Sequence, residues 1–230
     1  MKRAHGSILV LFARAPRAGR VKSRLAAVLG ETAALEIYLA FLKDSIEMVR
    51  RVSPGGIRPA IAWAGAEGPV SEIEEMLAGF EVLDQEGDDL GQKMSNTFAD
   101  LLSRGHDRVV IIGSDTPSLP LEHLYKAFDL LRDRDLVIGP ATDGGYYLIG
   151  ARAVYPEIFR DIPWGTARVL EETIALLRIY GIPRVLLPKW EDVDTIEDLE
   201  RLRSSLAGLD PADPAARHTR QVLSRIPAGT

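Results

Sequence analysis

Three acidic segments, GSDTPSLP (113–120), GPATDGGYYLIG (139–150) and DVDTIEDL (192–199), and one basic segment, FARAPRAGRVKSRL (12–25), carry residue types that build a phosphate and metal site. Asp115, Asp192 and Asp194 offer oxygen ligands to a hard divalent cation, Mg²⁺ or Mn²⁺, for which one or two carboxylates suffice when a substrate phosphate and water complete the shell. Arg14, Lys22 and Arg24 offer guanidinium forks and an ammonium to phosphate oxygens, and Pro16 and Gly19 turn the backbone among them. A cation that bridges carboxylates to a diphosphate, opposite a basic loop, is the equipment of a nucleotide-dependent transferase.

Each segment also has a plainer use. The basic loop could be a solvated turn; it is not a Walker A loop, because Val21 stands where a Gly must precede Lys22-Ser23, and no G-x-G-x-x-G fingerprint is present. Asp115 or Ser118 could cap a helix beginning near Pro120. Asp192 and Asp194, two residues apart, point to one face of an extended chain, and acids so close to a helix start are favoured by its dipole. Thr195 with Asp198 reads as a capping box, which gives Asp198 a structural duty. Asp143-Gly144-Gly145 is hairpin chemistry, and Asp143 serves as a general base only with an acceptor hydroxyl in reach. Trp164 could stack on a base or an acceptor, or be buried in the core. His5, His106, His123 and His218 show no metal spacing, no G-x-S-x-G elbow supports a serine hydrolase, and the absence of cysteine removes disulfides, thiolate zinc sites and a cysteine nucleophile.

These residues need a scaffold that brings strand ends together. Apolar runs rich in Val, Ile and Leu predict strands at Ser7–Ala13, Pro59–Trp63, Glu81–Asp84, Arg108–Gly113, Leu136–Gly139, Tyr146–Gly150 and Arg184–Leu187, covered on both faces. Helical stripes fall on Leu35, Leu39, Leu42, Ile46 and Val49, on Leu121, Leu124, Phe128 and Leu131, and on Leu170, Ile174 and Leu177. The alternation predicts a three-layer α/β/α sandwich with a mixed, mainly parallel sheet, whose ligands gather at the carboxyl ends of the strands. Residues 1–206 are expected to form one domain, and 207–230 a peripheral C-terminal extension with a turn, a short helix and a frayed end.

A net charge of −5, from 28 basic and 33 acidic residues, argues against a general nucleic-acid or membrane-surface binder. No apolar run approaches the ~20 residues of a spanning helix, and the start does not read as a secretory leader, so a cytoplasmic location is expected.

The motifs F-A-R-A-P-x-x-G-x-V-K-S-R-L, G-S-D-T-P-S-L-P, G-P-A-T-D-G-G-Y-Y-L-I-G, I-P-W-G-T and D-V-D-T-x-x-D-L together resemble the GT-A-like nucleotide-diphospho-sugar transferase superfamily, and within it the DUF2064 group, also called radical-SAM/selenodomain-associated transferase 1. Related branches are the guanylyltransferases that activate 2-phospholactate and the molybdenum-cofactor nucleotidyltransferases. The resemblance spans most of residues 7–205. It implies a GT-A-like fold, a nucleotide or nucleotide-sugar donor and a small-molecule acceptor. It assigns metal ligation to Asp115, Asp192 and Asp194, and phosphate binding to Lys22 and Arg24. Asp143, Gly144, Gly145 and Trp164 would then lie on the acceptor side, with Asp143 the candidate catalytic residue, as a general base. Two departures are plain: Ser-Asp-Thr stands in place of the Asp-x-Asp of many glycosyltransferases, and the first loop lacks the glycine-rich Thr-Arg-Met form of sugar nucleotidyltransferases.

Overall fold

The computed structural model describes residues 6–65, 70–210 and 213–226; His5 lies outside them. Among the described residues, seven strands form one sheet: β1 (Gly6–Arg14), β2 (Ile57–Ala64), β3 (Glu81–Asp84), β4 (His106–Gly113), β5 (Leu136–Pro140), β6 (Tyr146–Ala151) and β7 (Arg184–Leu186). Every stretch expected to be a strand is one, within two residues at either end.

The strand order is β3-β2-β1-β4-β6-β5-β7, and only β6 runs antiparallel to its neighbours. The reversal comes from the five residues between β5 and β6, where Asp143 Oδ1 accepts from the Gly145 N–H at 2.7 Å and the Ala141 N–H donates to the Gly145 carbonyl at 3.0 Å. A tight hairpin needs no crossover helix, so the sheet is mixed.

Successive strand side chains point to opposite faces, and both faces are covered. One layer is built by Leu9, Leu11, Ile61, Val110 and Ile112 against α2 (Glu31–Val52), α3 (Ser71–Met76) and α5 (Leu121–Leu130). The other sets Ile8, Val10, Phe12, Val109 and Ile111 against α4 (Leu90–Ser103), α6 (Val169–Ile179) and a 3₁₀ turn at Pro156–Phe159. This is the GT-A-like three-layer sandwich.

The helix stripes differ in detail from the sequence reading. Helix α2 buries Ile37, Tyr38, Phe41 and Leu42 as well as Ile46 and Val49, while Leu35 and Leu39 are half-buried. The reason is that α2 is covered on two sides. Its second side carries a separate apolar cluster of Ala34, Ile37 and Phe41 with Leu25 of α1 (Ser23–Leu29), Leu199, Leu202 and Leu206 of α7 (Ile196–Ala207), and Leu223 of α8 (Arg217–Leu223). Likewise α6 turns Val169, Thr173 and Leu177 fully inward, with Leu170 and Ile174 on the flank. Among the described residues, no helix is long and apolar enough to cross a membrane.

Candidate active site

The loop after β1 turns sharply at residues 17–20, where the Arg20 N–H donates to the Arg17 carbonyl, and reaches Lys22 immediately before α1. Lys22 sits in the left-handed backbone region at φ +48, which costs a non-glycine residue of the order of 1 kcal/mol. That twist directs the side chain inward. Its Nζ lies 2.6 Å from Asp115 Oδ1 and 2.9 Å from Asp194 Oδ1, donates to the Val193 carbonyl at 2.6 Å, and stands 5.4 Å from the Phe41 ring centroid. The Lys22 side chain is 4% exposed, whereas those of Asp115 and Asp194 are 44% and 39% exposed. Burial opposes the ammonium, but the Asp115 and Asp194 charges outweigh it and hold the Lys22 pKa above its ordinary value.

Asp115 and Asp194 meet because the backbone ties their segments together. The Val193 N–H donates to the Asp115 carbonyl at 3.0 Å. Beyond β7 the chain keeps pairing with the end of β5, through Trp190 N–H to the Pro140 carbonyl at 3.0 Å and Thr142 N–H to the Trp190 carbonyl at 3.1 Å. Asp198 then accepts from the Asp194 and Thr195 N–H groups while Thr195 Oγ1 accepts from the Asp198 N–H, a complete capping box at the start of α7. Asp115 does not cap α5, which begins at Leu121 after Pro120 with no side-chain cap.

Asp192 faces a different neighbour. Its carboxyl neighbours that of Asp143, and Thr142 Oγ1 lies 3.4 Å from its Oδ1. Burial, and after it the Asp143 charge, push Asp192 up to about 6. The segments beyond the strands thus gather two groups, a lysine between two carboxylates and a pair of neighbouring aspartates, Asp143 and Asp192.

The remaining predicted residues are placed as follows. The side chains of Arg14 and Arg24 are exposed on the basic loop. Gly144, at φ +93, passes so close to α6 that a Cβ would lie 2.1 Å from the Ala167 carbonyl oxygen, and its own carbonyl accepts from the Leu170 N–H at 2.9 Å. Gly145 donates to Asp143 as described. Trp164 is half-buried on the α4 side, edge-on to Tyr146 with ring centroids 6.2 Å apart, and it fills the space that a side chain on Gly91 would need.

Sequence reasoning missed several residues that hold this geometry. The Tyr38 hydroxyl accepts from the Arg14 N–H and donates to the Arg14 carbonyl, both at 2.9 Å, and so fixes the start of the basic loop. Gln85 Nε2 ties the ends of β1 and β2 through the Ala13 and Ala62 carbonyls. Neither has a local signal, because both act on backbone distant in the chain.

Two other features lie close by. A groove of about 870 Å³ runs between residues 189–193 and α7, lined by Ser118, Thr142, Trp190, Val193, Arg201 and Leu202 among others; it adjoins the acids but none of them lines it. Asp44, Glu47 and His218 bring ligand atoms within 4.8 Å of one another. That cluster is explained by capping: Asp44 accepts from the His218 and Thr219 N–H groups and the Thr219 hydroxyl at the start of α8, and Glu47 pairs with Arg217 and His218. Among the described residues no other three acidic or histidine groups approach so closely.

Comparison with known proteins agrees with this fold. A protein of Desulfovibrio desulfuricans G20, provisionally named a nucleotide-diphospho-sugar transferase, is 32% identical, with 96% of this chain and 95% of that one superposed at a TM-score of 0.84. A cytidylyltransferase from Leptospira borgpetersenii shares the fold at 16% identity, with 99% of both chains covered and a TM-score of 0.58. A phosphoenolpyruvate guanylyltransferase of Chloroflexus aggregans is 24% identical over 119 residues, which are 52% of this chain and span 59% of that protein's length. Residues 49–166 match the model of a family described as an uncharacterized protein conserved in bacteria, DUF2064, and the chain belongs to that family.

Proposed function

We propose that this chain is a divalent-metal-dependent transferase that uses a nucleotide-activated donor, a nucleotide-diphospho-sugar. One observation carries the reading: Lys22, Asp115 and Asp194, from the segments that follow β1, β4 and β7, meet within hydrogen-bonding distance at the carboxyl edge of the sheet. Ligands of open α/β sheets collect at that edge. The 32%-identical relative, with its nucleotide-diphospho-sugar name, favours this donor class.

The acids suit a metal, because Asp115 and Asp194 already place an oxygen each within 2.9 Å of one cationic atom, the Lys22 ammonium. Those two would hold Mg²⁺ or Mn²⁺, with Asp192, two residues before Asp194, as a third acid that would have to turn from Asp143 to join them. Bound there, the ion would offset charge growing on a phosphate leaving group. Arg14 and Arg24 are free in their exposure to meet phosphate oxygens as the donor arrives, which pre-places positive charge where the leaving group becomes more negative. Asp143, beside Asp192, can accept a proton from an acceptor hydroxyl held near the hairpin. Gly144 and Gly145 keep that hairpin close to α6, so Asp143 stays in position.

A second reading is nucleotidyl transfer, in which an acceptor phosphate attacks the α-phosphorus of a nucleoside triphosphate and expels pyrophosphate. The guanylyltransferase similarity favours it. The leaving group separates the two. Phosphorus-31 NMR on a panel of sugar nucleotides and nucleoside triphosphates with Mg²⁺ and candidate acceptors should show a nucleoside diphosphate released from a sugar nucleotide. Pyrophosphate released from GTP or CTP would establish the second reading, and a binding protein without turnover would release neither.

A further inference from the structure

The Lys22 ammonium has three protons and three acceptors: Asp115 Oδ1, Asp194 Oδ1 and the Val193 carbonyl. No donor is left for a phosphate. The side chain is buried above Phe41, and its backbone is held in a conformation that non-glycine residues avoid, so without ligand the local structure aims this ammonium at the carboxylates. The other cations of the loop, Arg14, Arg20 and Arg24, have exposed side chains. A tethered single charge therefore occupies the place between two carboxylates that suits a hard divalent ion.

We propose that Lys22 is an exchangeable counter-ion for this site. Without ligand, its ammonium neutralises Asp115 and Asp194 and disfavours a free divalent ion; when a nucleotide arrives with its ion, the ammonium moves from the carboxylates to the phosphates. The inference rests on the proposed reading that Asp115 and Asp194 ligate metal. Two cations cannot share the same pair of carboxylates without strong repulsion at this depth. Metal and nucleotide should accordingly bind interdependently, because each removes the cost that Lys22 imposes on the other.

The test titrates Mn²⁺ alone, by calorimetry, into the wild type, Lys22→Met and Asp115→Asn. Methionine keeps the apolar stem over Phe41 and removes the charge. Lys22→Met should bind Mn²⁺ at least tenfold more tightly than the wild type, and its melting temperature, lowered in EDTA, should be restored by Mn²⁺. The same variant should bind UDP-glucose or GTP with Mn²⁺ more weakly than the wild type. Equal Mn²⁺ affinity in Lys22→Met and the wild type would overturn the exchange; if Asp115→Asn alone weakened Mn²⁺ binding, the metal-ligand reading would survive that failure. Absence of Mn²⁺ binding in all three proteins, with and without nucleotide, would overturn both. Should Lys22→Met fail to fold, lysine methylation followed by mass spectrometry answers the question in the wild type. Lys22 should be protected without metal and become reactive with saturating Mn²⁺ alone, and protection in both states would count against the proposal.

Discussion

Asp192 carries an electrostatic conflict that can be read as a stability change. Its pKa in the folded chain is raised from the ordinary 3.8 to about 6, so the native state binds this proton more tightly than the unfolded chain. The associated stability is therefore present below about pH 4 and is lost as the pH rises through about 6. Asp192→Asn should stabilise the metal-free protein at pH 7.5 by the order of 1 kcal/mol, after discounting a partly exposed group for solvent screening, and by much less at pH 4. Urea melts in EDTA at both pH values check this, and an equal gain at the two would contradict it. Gly144 gives a steric prediction of the same kind. Gly144→Ala, with a Cβ 2.1 Å from the Ala167 oxygen and φ +93, should cost upwards of about 2 kcal/mol, whereas Gly113→Ala, which meets nothing within 4 Å, should melt within about 1 kcal/mol of the wild type. At this scale the sequence displayed Asp115, Asp192, Asp194 and Lys22 openly, since unusual side chains follow apolar strands. It concealed that Lys22 stands between the acids rather than across from them, because only the left-handed turn at Lys22 sends the side chain inward.

Among the elements, α2 does the most to couple the site to the rest of the chain. Tyr38 on this helix pins the basic loop, Phe41 underlies Lys22, and Asp44, one turn further on, caps α8. Burial raises the Asp44 pKa, against the hydrogen bonds from Thr219 and His218 that favour its ionised form. Asp44→Ala would leave the first turn of α8 without its acceptor and should lower stability by roughly 2 kcal/mol, a loss combining a helix cap with buried donors. Differential scanning calorimetry measures it, together with amide exchange, which should quicken first in residues 217–223. Uniform exchange across the chain would argue against a locally tethered helix. The strands were legible because continuous apolar runs mark strands buried on both faces, and the β5–β6 reversal was legible from Asp143-Gly144-Gly145. The double burial of α2 was not, since a stripe drawn for one apolar face omits Ala34, Ile37 and Phe41, whose partners in α1, α7 and α8 come from both ends of the sequence.

For the whole molecule, a net charge of −5 coexists with a basic loop beside the acids at the sheet's carboxyl edge. An anionic nucleotide should therefore need its metal, because the four acids Asp115, Asp143, Asp192 and Asp194, with the single charge of Lys22 among them, would otherwise repel its phosphates. Attraction to exposed arginines is screened by salt, and raising ionic strength from 0.05 to 0.5 M should weaken nucleotide binding severalfold while leaving the melting temperature nearly unchanged. A fluorescence or calorimetric salt series reads both quantities, and insensitivity of the affinity would remove Arg14 and Arg24 from the phosphate side. The most direct measurement is a calorimetric titration of UDP-glucose and of GTP, each with and without Mn²⁺, into the wild type and Asp115→Asn. At least one nucleotide should bind the wild type only with Mn²⁺, with affinity reduced at least tenfold in the folded Asp115→Asn variant; binding that ignores both the ion and this substitution would contradict a metal-bridged nucleotide site.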